Sequence, residues 1–365
     1  MANESIPLLV EEWSKYLKSQ KAKPTAKGFE VVLASLDLDP KLVRSARLRR
    51  RKGHIEVVAR RATFGTRVFP PKVKSVNLAR AKRIGYEEPD GLRPAHLDFR
   101  AVPKELPKSL RQPNRVRHYD LQLGEDEGLP SDIFSPDDRY TFSDTAFPWS
   151  TCGRVDTAAG FGSGVMIGPR HLLTASHVVN WGPNNTAGWL KFTPLLFDSN
   201  EPFGHAFATT IYSWNKADGS DGINADECAF DYVVCILDSR IGDVTGWMGS
   251  RGYSTDWDGG NYWGHVGYPG DLASGLRPTF IGYQAMDSTF TRTIGGRDSF
   301  GIKHRMDVIP GQSGGPYFGW WGNEPWPRVI STQSAIQWGG STGPNTCGGG
   351  NPLPELINYA RNVAP

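Results

Sequence analysis

The chain has 365 residues, 38% of them hydrophobic and 22% charged, with 42 glycines, 27 prolines and 12 tryptophans. That is room for more than one domain and for a sizeable core, while the shortness of the apolar runs, Val329-Ile330 among them, excludes a membrane-spanning helix. The net charge of +3 hides two opposed regions, because residues 1 to 118 hold 27 Lys+Arg against 12 Asp+Glu and the rest hold 14 against 26.

Taken in chain order, Met1 to Val10 lacks both the basic start and the long apolar segment of a secretory signal. Leu9, Trp13, Tyr16 and Leu17 recur at helical spacing, which predicts a short amphipathic helix to about Gln20, broken by Lys21-Ala22-Lys23-Pro24. Arg47-Leu48-Arg49-Arg50-Arg51-Lys52 is a dense basic run, joined by Arg60-Arg61 and Lys82-Arg83. No aromatic residues are interleaved with it as a nucleic-acid surface would require, so it reads as a solvated face or a surface opposing the acidic region. The dibasic pairs are also candidate processing sites. Prolines at 103, 107 and 113 predict an extended linker from Pro103 to Arg117, followed by the acidic stretch Gly124 to Pro130.

After Thr145 the pattern changes to short apolar runs, such as Val165-Met166-Ile167 and Val233-Val234-Cys235-Ile236-Leu237, separated by Gly, Pro, Asn and Asp. These predict strands and turns, closed by a helix over Leu356 to Asn362. Eleven of the tryptophans, Trp149 onward, fall in this part, so the large aromatic core belongs here. So do all four cysteines, Cys152, Cys228, Cys235 and Cys347. Their even number predicts at least one disulfide with three pairings open, against the alternative of buried thiols packed as small hydrophobes.

Three segments carry chemistry. In Gly311-Gln312-Ser313-Gly314-Gly315-Pro316 a serine is flanked by glycines, so backbone amides can converge where a tetrahedral oxyanion forms. Upstream lie Thr174-Ala175-Ser176-His177-Val178 and Phe230-Asp231-Tyr232-Val233-Val234. A serine hydroxyl is a poor nucleophile at neutral pH, so His177 must take its proton and later pass it to the leaving amine. Asp231 fixes the imidazole tautomer, with Asp226 as a nearby competitor. Gly311 and Ser313 supply the oxyanion-hole donors, and glycine at 311 suits the backbone dihedrals such a donor often needs.

In these segments, and in Gly162-Ser163-Gly164-Val165 and Gly267-Tyr268-Pro269-Gly270-Asp271, the chain resembles the chymotrypsin-like serine protease family, within it the glutamyl endopeptidase branch. Ser135-Pro136-Asp137-Asp138-Arg139-Tyr140 with Asp144-Thr145 is similar to the stretch near the mature N-terminus of that branch. The resemblance covers residues 130 to 365 and implies a mainly β fold, a chymotrypsin-like double β-barrel with a C-terminal helix, preceded by a smaller basic N-terminal region. It implies a serine endopeptidase precursor: a prosegment and linker over 1 to 130 and a protease domain over 131 to 365. In this family a newly exposed N-terminus often completes the specificity pocket, so cleavage between Glu125 and Asp137 is expected to raise activity. Polypeptide substrates, the prosegment as partner, secretion, and no cofactor, metal, nucleic-acid or membrane partner are the further expectations. Many family members have a cysteine directly after the histidine, where this chain has Val178, so that bridge is absent.

Substrate preference is divided. Asp307 lies six positions before Ser313, where trypsin-like enzymes hold the aspartate that accepts lysine or arginine, and the glutamyl branch also carries aspartate there. That branch follows it with a hydroxyl, whereas Val308 offers no donor. A pocket-wall histidine of the branch is replaced by Gln333 or Gln337, according to register, with Ser334 also counted among the substrate-binding residues; glutamine can donate or accept and so discriminates weakly. The competing reading is an inactive protease-fold binding or scaffold protein whose basic region docks a polyanion.

Overall fold

A computed structural model describes residues 6–9, 11–12, 47–51, 54–58, 72–83, 85–106, 133–134, 136–219, 222–322, 324–335 and 343–365. The expected helix ending near Gln20, the Pro107 to Pro130 part of the linker and acidic stretch, and Gln337 lie outside these residues. The chain divides into two compact units, Met1–Ala22 with Pro71–Pro365, and Lys23–Pro70. In the smaller, strands β1 (Arg47–Arg51) and β2 (His54–Val58) pair antiparallel, so most of the basic run is a strand.

The larger unit begins with β3 (Val73–Asn77) and β4 (Tyr140–Thr141). Its first sheet then takes β5 (Cys152–Thr157), β6 (Gly160–Gly168), β7 (His171–Thr174), β8 (Trp181–Gly182), β9 (Thr186–Ala187), β10 (Leu190–Pro194), β11 (Ala206–Ser213) and β12 (Val233–Leu237). The order β10-β5-β6-β7-β12-β11, closed by pairing of β10 with β11, makes a six-stranded barrel. Its interior is filled by Val155, Met166, Leu172, Phe192, Ile211, Val233 and Leu237. A short helix α1 (Ala225–Ala229) precedes β12, and α2 (Gly242–Thr245) follows it.

The second sheet comprises β13 (Gly249–Ser250), β14 (Trp263–Gly267), β15 (Thr279–Gln284), β16 (Met286–Ile294), β17 (Arg297–His304), β18 (Pro316–Gly319), β19 (Arg328–Ala335) and β20 (Asn345–Gly349), with β4 on its edge. Trp257, Trp263, Ile302, Tyr317, Trp321 and Ile330 pack together on it. A third apolar cluster, including Trp149, Val165, Trp214, Phe230, Phe280 and Phe318, draws on both sheets and also buries Leu353, Leu356 and Ile357. Those last residues face inward from α3 (Pro352–Val363), the expected closing helix, extended by a turn because Pro352 is tolerated where a helix begins. The architecture is mainly β, a closed six-stranded barrel and a second sheet with a C-terminal helix, and it matches the expected chymotrypsin-like double barrel.

Contacts cross residue 130: β3 runs parallel to β11 beside the point where β10 leaves it, with Lys74 opposite Thr210, and Val73 is buried in the first barrel. Leu92 bridges Trp247, Phe99 bridges Phe147, and Glu105, within the expected linker, bridges Phe142. The predicted disulfide is corrected, because all four cysteines are free and buried. Cys152, Cys235 and Cys347 lie in three different apolar clusters, and burial raises each thiol's pKa, those of Cys152 and Cys228 to about 12. They pack as small hydrophobes.

Candidate active site

His171-Leu172-Leu173-Thr174 is wholly buried as β7, and the chain leaves it in a single 3-10 turn, Ser176–Val178, that turns His177 out of the barrel. The turn is tied down on both sides. Thr174 Oγ1 donates to Ser163 O at 2.7 Å, Ser176 Oγ accepts from Ala217 N at 3.0 Å, and Trp181 Nε1 donates to Ser176 O at 3.0 Å. Gly219, at φ +69°, passes so close behind His177 that a Cβ there would lie 3.2 Å from the histidine Cβ.

Asp231 sits between α1, whose Asn224 and Glu227 form a capping box, and the all-buried β12. Its carboxylate is fully buried and accepts from His177 N at 3.0 Å, His177 Nδ1 at 2.6 Å and Ser334 Oγ at 2.6 Å. Three donors supply the hydrogen bonds a buried carboxylate requires. With Nδ1 donating, Nε2 is the basic nitrogen. Burial alone would lower the His177 pKa, but the Asp231 charge and hydrogen bond outweigh it, and the pKa lies above the usual 6.5. The competitor Asp226 is exposed and pairs with Arg292 at 2.6 Å.

The Ser313 loop rests on β6. Ser163 N donates to Ser313 O at 2.7 Å, Ser163 Oγ donates to Gly311 O at 2.8 Å, and the same hydroxyl accepts from Tyr268 N at 2.9 Å. Gly311 has φ +103°, and a Cβ there would meet Tyr268 O and the Phe161 ring. Gly314, at φ +79°, leaves no room for a Cβ beside Ser163 O and Ala175 N, which brings the serine loop against the end of the strand that carries His177. A trans peptide points its N–H opposite to its C=O. Pro310 O accepts from Gly270 N at 2.9 Å and Gln312 O from Gly315 N at 2.9 Å, so the N–H groups of Gly311 and Ser313 are turned away from those partners. Among the described residues neither has an acceptor.

The residues expected around a substrate side chain are placed differently from one another. Asp307 is buried, and its carboxylate accepts from the backbone amides of Phe134 at 2.6 Å and Asp138 at 3.0 Å; burial pushes its pKa up to about 6 against those two bonds. Val308 is buried. Ser334 holds Asp231. Gln333 Oε1 accepts from Tyr317 OH at 2.6 Å and lies 3.2 Å from His304 Nε2, and Gln333 Nε2 donates to Ala335 O at 3.2 Å. His304 Nδ1 accepts from Met306 N at 3.2 Å, which leaves Nε2 as the donor. Burial takes His304 down to about 3, so this group is neutral. A pocket of about 630 Å³, lined by Tyr86, Glu88, Arg251, Tyr253, Trp257 and Asn351 among others, includes none of these residues. Among the described residues no group of three or more His, Cys, Asp or Glu could hold a metal ion, and no helix is long and apolar enough to cross a membrane.

Ser163 and Gly219 were not predicted to serve the site. Ser163 had a signal, a lone hydroxyl between two glycines in an apolar strand. Gly219 acts through its contact with His177 across a long stretch of chain.

No family model matches the chain. It is 26% identical over 188 residues to glutamyl endopeptidase of Bacillus licheniformis, an alignment covering 51% of this chain and 54% of the relative; the chain thus spans about half the length of the curated relative it matches. Among solved structures it is similar to a Glu endopeptidase in complex with MPD, at 18% identity and TM-score 0.49 over 63% of this chain and 99% of that one. It is also similar to the protease Anisep from Arthrobacter nicotinovorans, at 19% identity and TM-score 0.41 over 58% and 93%.

Proposed function

We propose that this chain is a serine endopeptidase of the chymotrypsin-like family whose catalytic residues are Ser313, His177 and Asp231. Ser313 Oγ attacks the peptide carbonyl as His177 Nε2 takes its proton. The carbonyl oxygen becomes an oxyanion received by the N–H groups of Gly311 and Ser313. Collapse breaks the C–N bond, the amine leaves with the proton from His177, and water, deprotonated by the same nitrogen, releases the acid from the acyl-enzyme. Asp231 keeps the imidazole oriented and stabilises it when charged. No cofactor enters the scheme.

The observation that carries this reading is the 2.6 Å bond from His177 Nδ1 to a wholly buried Asp231. A structural histidine has no need of a buried carboxylate held by a third residue. The inactive scaffold reading would leave that arrangement, and the two acceptor-free amides beside Ser313, without a purpose. Labelling by a fluorophosphonate probe tests it: the chain should label at Ser313, and Ser313→Ala should not. An unlabelled but folded wild-type chain would favour the scaffold.

Secretion and a removable segment before about residue 131 belong to the same reading. The segment's pairing through β3 supports a role in covering the β11 edge of the catalytic domain. N-terminal sequencing of the active form reads where, or whether, it is cut.

A further inference from the structure

The expectation that cleavage near residues 125 to 137 completes the pocket bears on Phe134 and the segment from Pro136 to Tyr140. In this chain both are already seated. The amides at 134 and 138 cap Asp307, and the Arg139 side chain, 1% exposed, runs inward. The guanidinium makes a fork to Asp271, Nη1 to Oδ1 at 3.1 Å and Nη2 to Oδ2 at 2.7 Å, and a second fork to Asp137 at 3.0 and 2.9 Å. Its Nη1 also donates to Gln312 Oε1 at 3.3 Å. Gln312 Oε1 in turn accepts from Ile309 N at 3.0 Å.

These contacts converge on one peptide. Gly270, next to Asp271, holds Pro310 O, and Gln312 closes the turn through its N–H to Ile309 O at 3.1 Å. The Pro310 to Gly311 peptide is therefore pinned from two sides, both gripped by Arg139, and its pinned carbonyl is what directs the Gly311 N–H away from Gly270. A buried guanidinium is costly unless its fork geometry is used. Here every partner belongs to the segment itself or to the two loops that shape this peptide.

We propose that Arg139 is the positioning residue of the oxyanion hole, and that it sets the hole in the uncleaved chain, so that removal of the upstream segment is not the switch that turns the enzyme on. This rests on the protease reading above. On this reading the site is already assembled in the uncleaved chain.

The test uses the full-length chain. Wild type should label with the fluorophosphonate as a species of full-chain mass. Arg139→Gln should lower kcat by between about tenfold and about a hundredfold, bounded by the loss of one oxyanion donor, with KM nearly unchanged, since the hole is used in the transition state. Arg139→Lys, which keeps the charge without the fork, should fall between them. Should Arg139→Gln fail to fold, Asp271→Asn removes one fork from the same guanidinium and should also lower kcat without raising KM. A full-length chain that labels only after cutting overturns the proposal and leaves the protease reading intact, and so does a folded variant at wild-type kcat. If neither intact nor cut chain labels, the protease reading fails and takes this inference with it.

Discussion

At the scale of single residues, the base role proposed for His177 makes its protonation set the acid side of activity. In that role the group must be neutral to accept a proton from Ser313, and Asp231 raises its pKa above 6.5. Activity is therefore expected to be lost as pH falls through a midpoint higher than that of a free histidine. A pH profile of kcat/KM should show this limb above pH 6.5, and a midpoint below it would contradict the pairing. Ser313→Ala and His177→Ala should each abolish hydrolysis while melting as wild type does, with the double variant scarcely worse than either. Asp307 makes a different prediction. Its carboxylate is occupied by two backbone amides, so a peptide library should show no enrichment of lysine or arginine before the scissile bond. Asp307→Ala should lower stability by about 2 kcal/mol through stranded amides. The segments that carry His177, Asp231 and Ser313 were legible in the sequence because acyl transfer, the proposed chemistry, would demand those residue types in distinctive local settings. The role of Asp307 was not, since spacing alone cannot tell which distant amides will reach a carboxylate.

Elements behave differently, because each strand is read from its own pattern but placed by its partner. Alternating or continuous apolar runs marked β6, β7 and β12 well. Nothing in Val73-Lys74-Ser75-Val76-Asn77 announced that it would join the first barrel, since its partner β11 lies far along the chain. Burying Val73 there makes it a sharp probe: Val73→Asp should destabilise the larger unit by about 3 kcal/mol or more, read by thermal melting. A melting temperature equal to wild type would mean that the strand does not belong to the barrel. The turn bearing Gly311 gives the complementary case. Only glycine readily adopts φ +103°, so Gly311→Ala should cost about 2 kcal/mol and suppress fluorophosphonate labelling.

Over the whole molecule, two features of composition resolved in opposite ways. The charge division between the first 118 residues and the rest stands in the sequence, yet the packing does not follow it, because residues 72 to 106 contribute a strand and bridges to the larger unit. Cysteine count suggested a cross-link, whereas the four thiols are dispersed through the apolar interior. A thiol reagent should accordingly find none of them in the native chain and four after denaturation, and reductant should leave the melting temperature unchanged.

The parallel seam between β3 and β11 also orders events in time. A ribosome releases β3 long before it releases β11, and a parallel pair of this separation closes only after the intervening chain has been organised, since loop-closure entropy must be met first. Until then Val73 has no interior to enter. The first barrel can close its ring through β10 and β11 while half of the β11 edge still waits for a strand made earlier. The oldest described strand of the larger unit thus becomes one of the last to dock, and an exposed edge persists through that interval as a template for pairing with other chains.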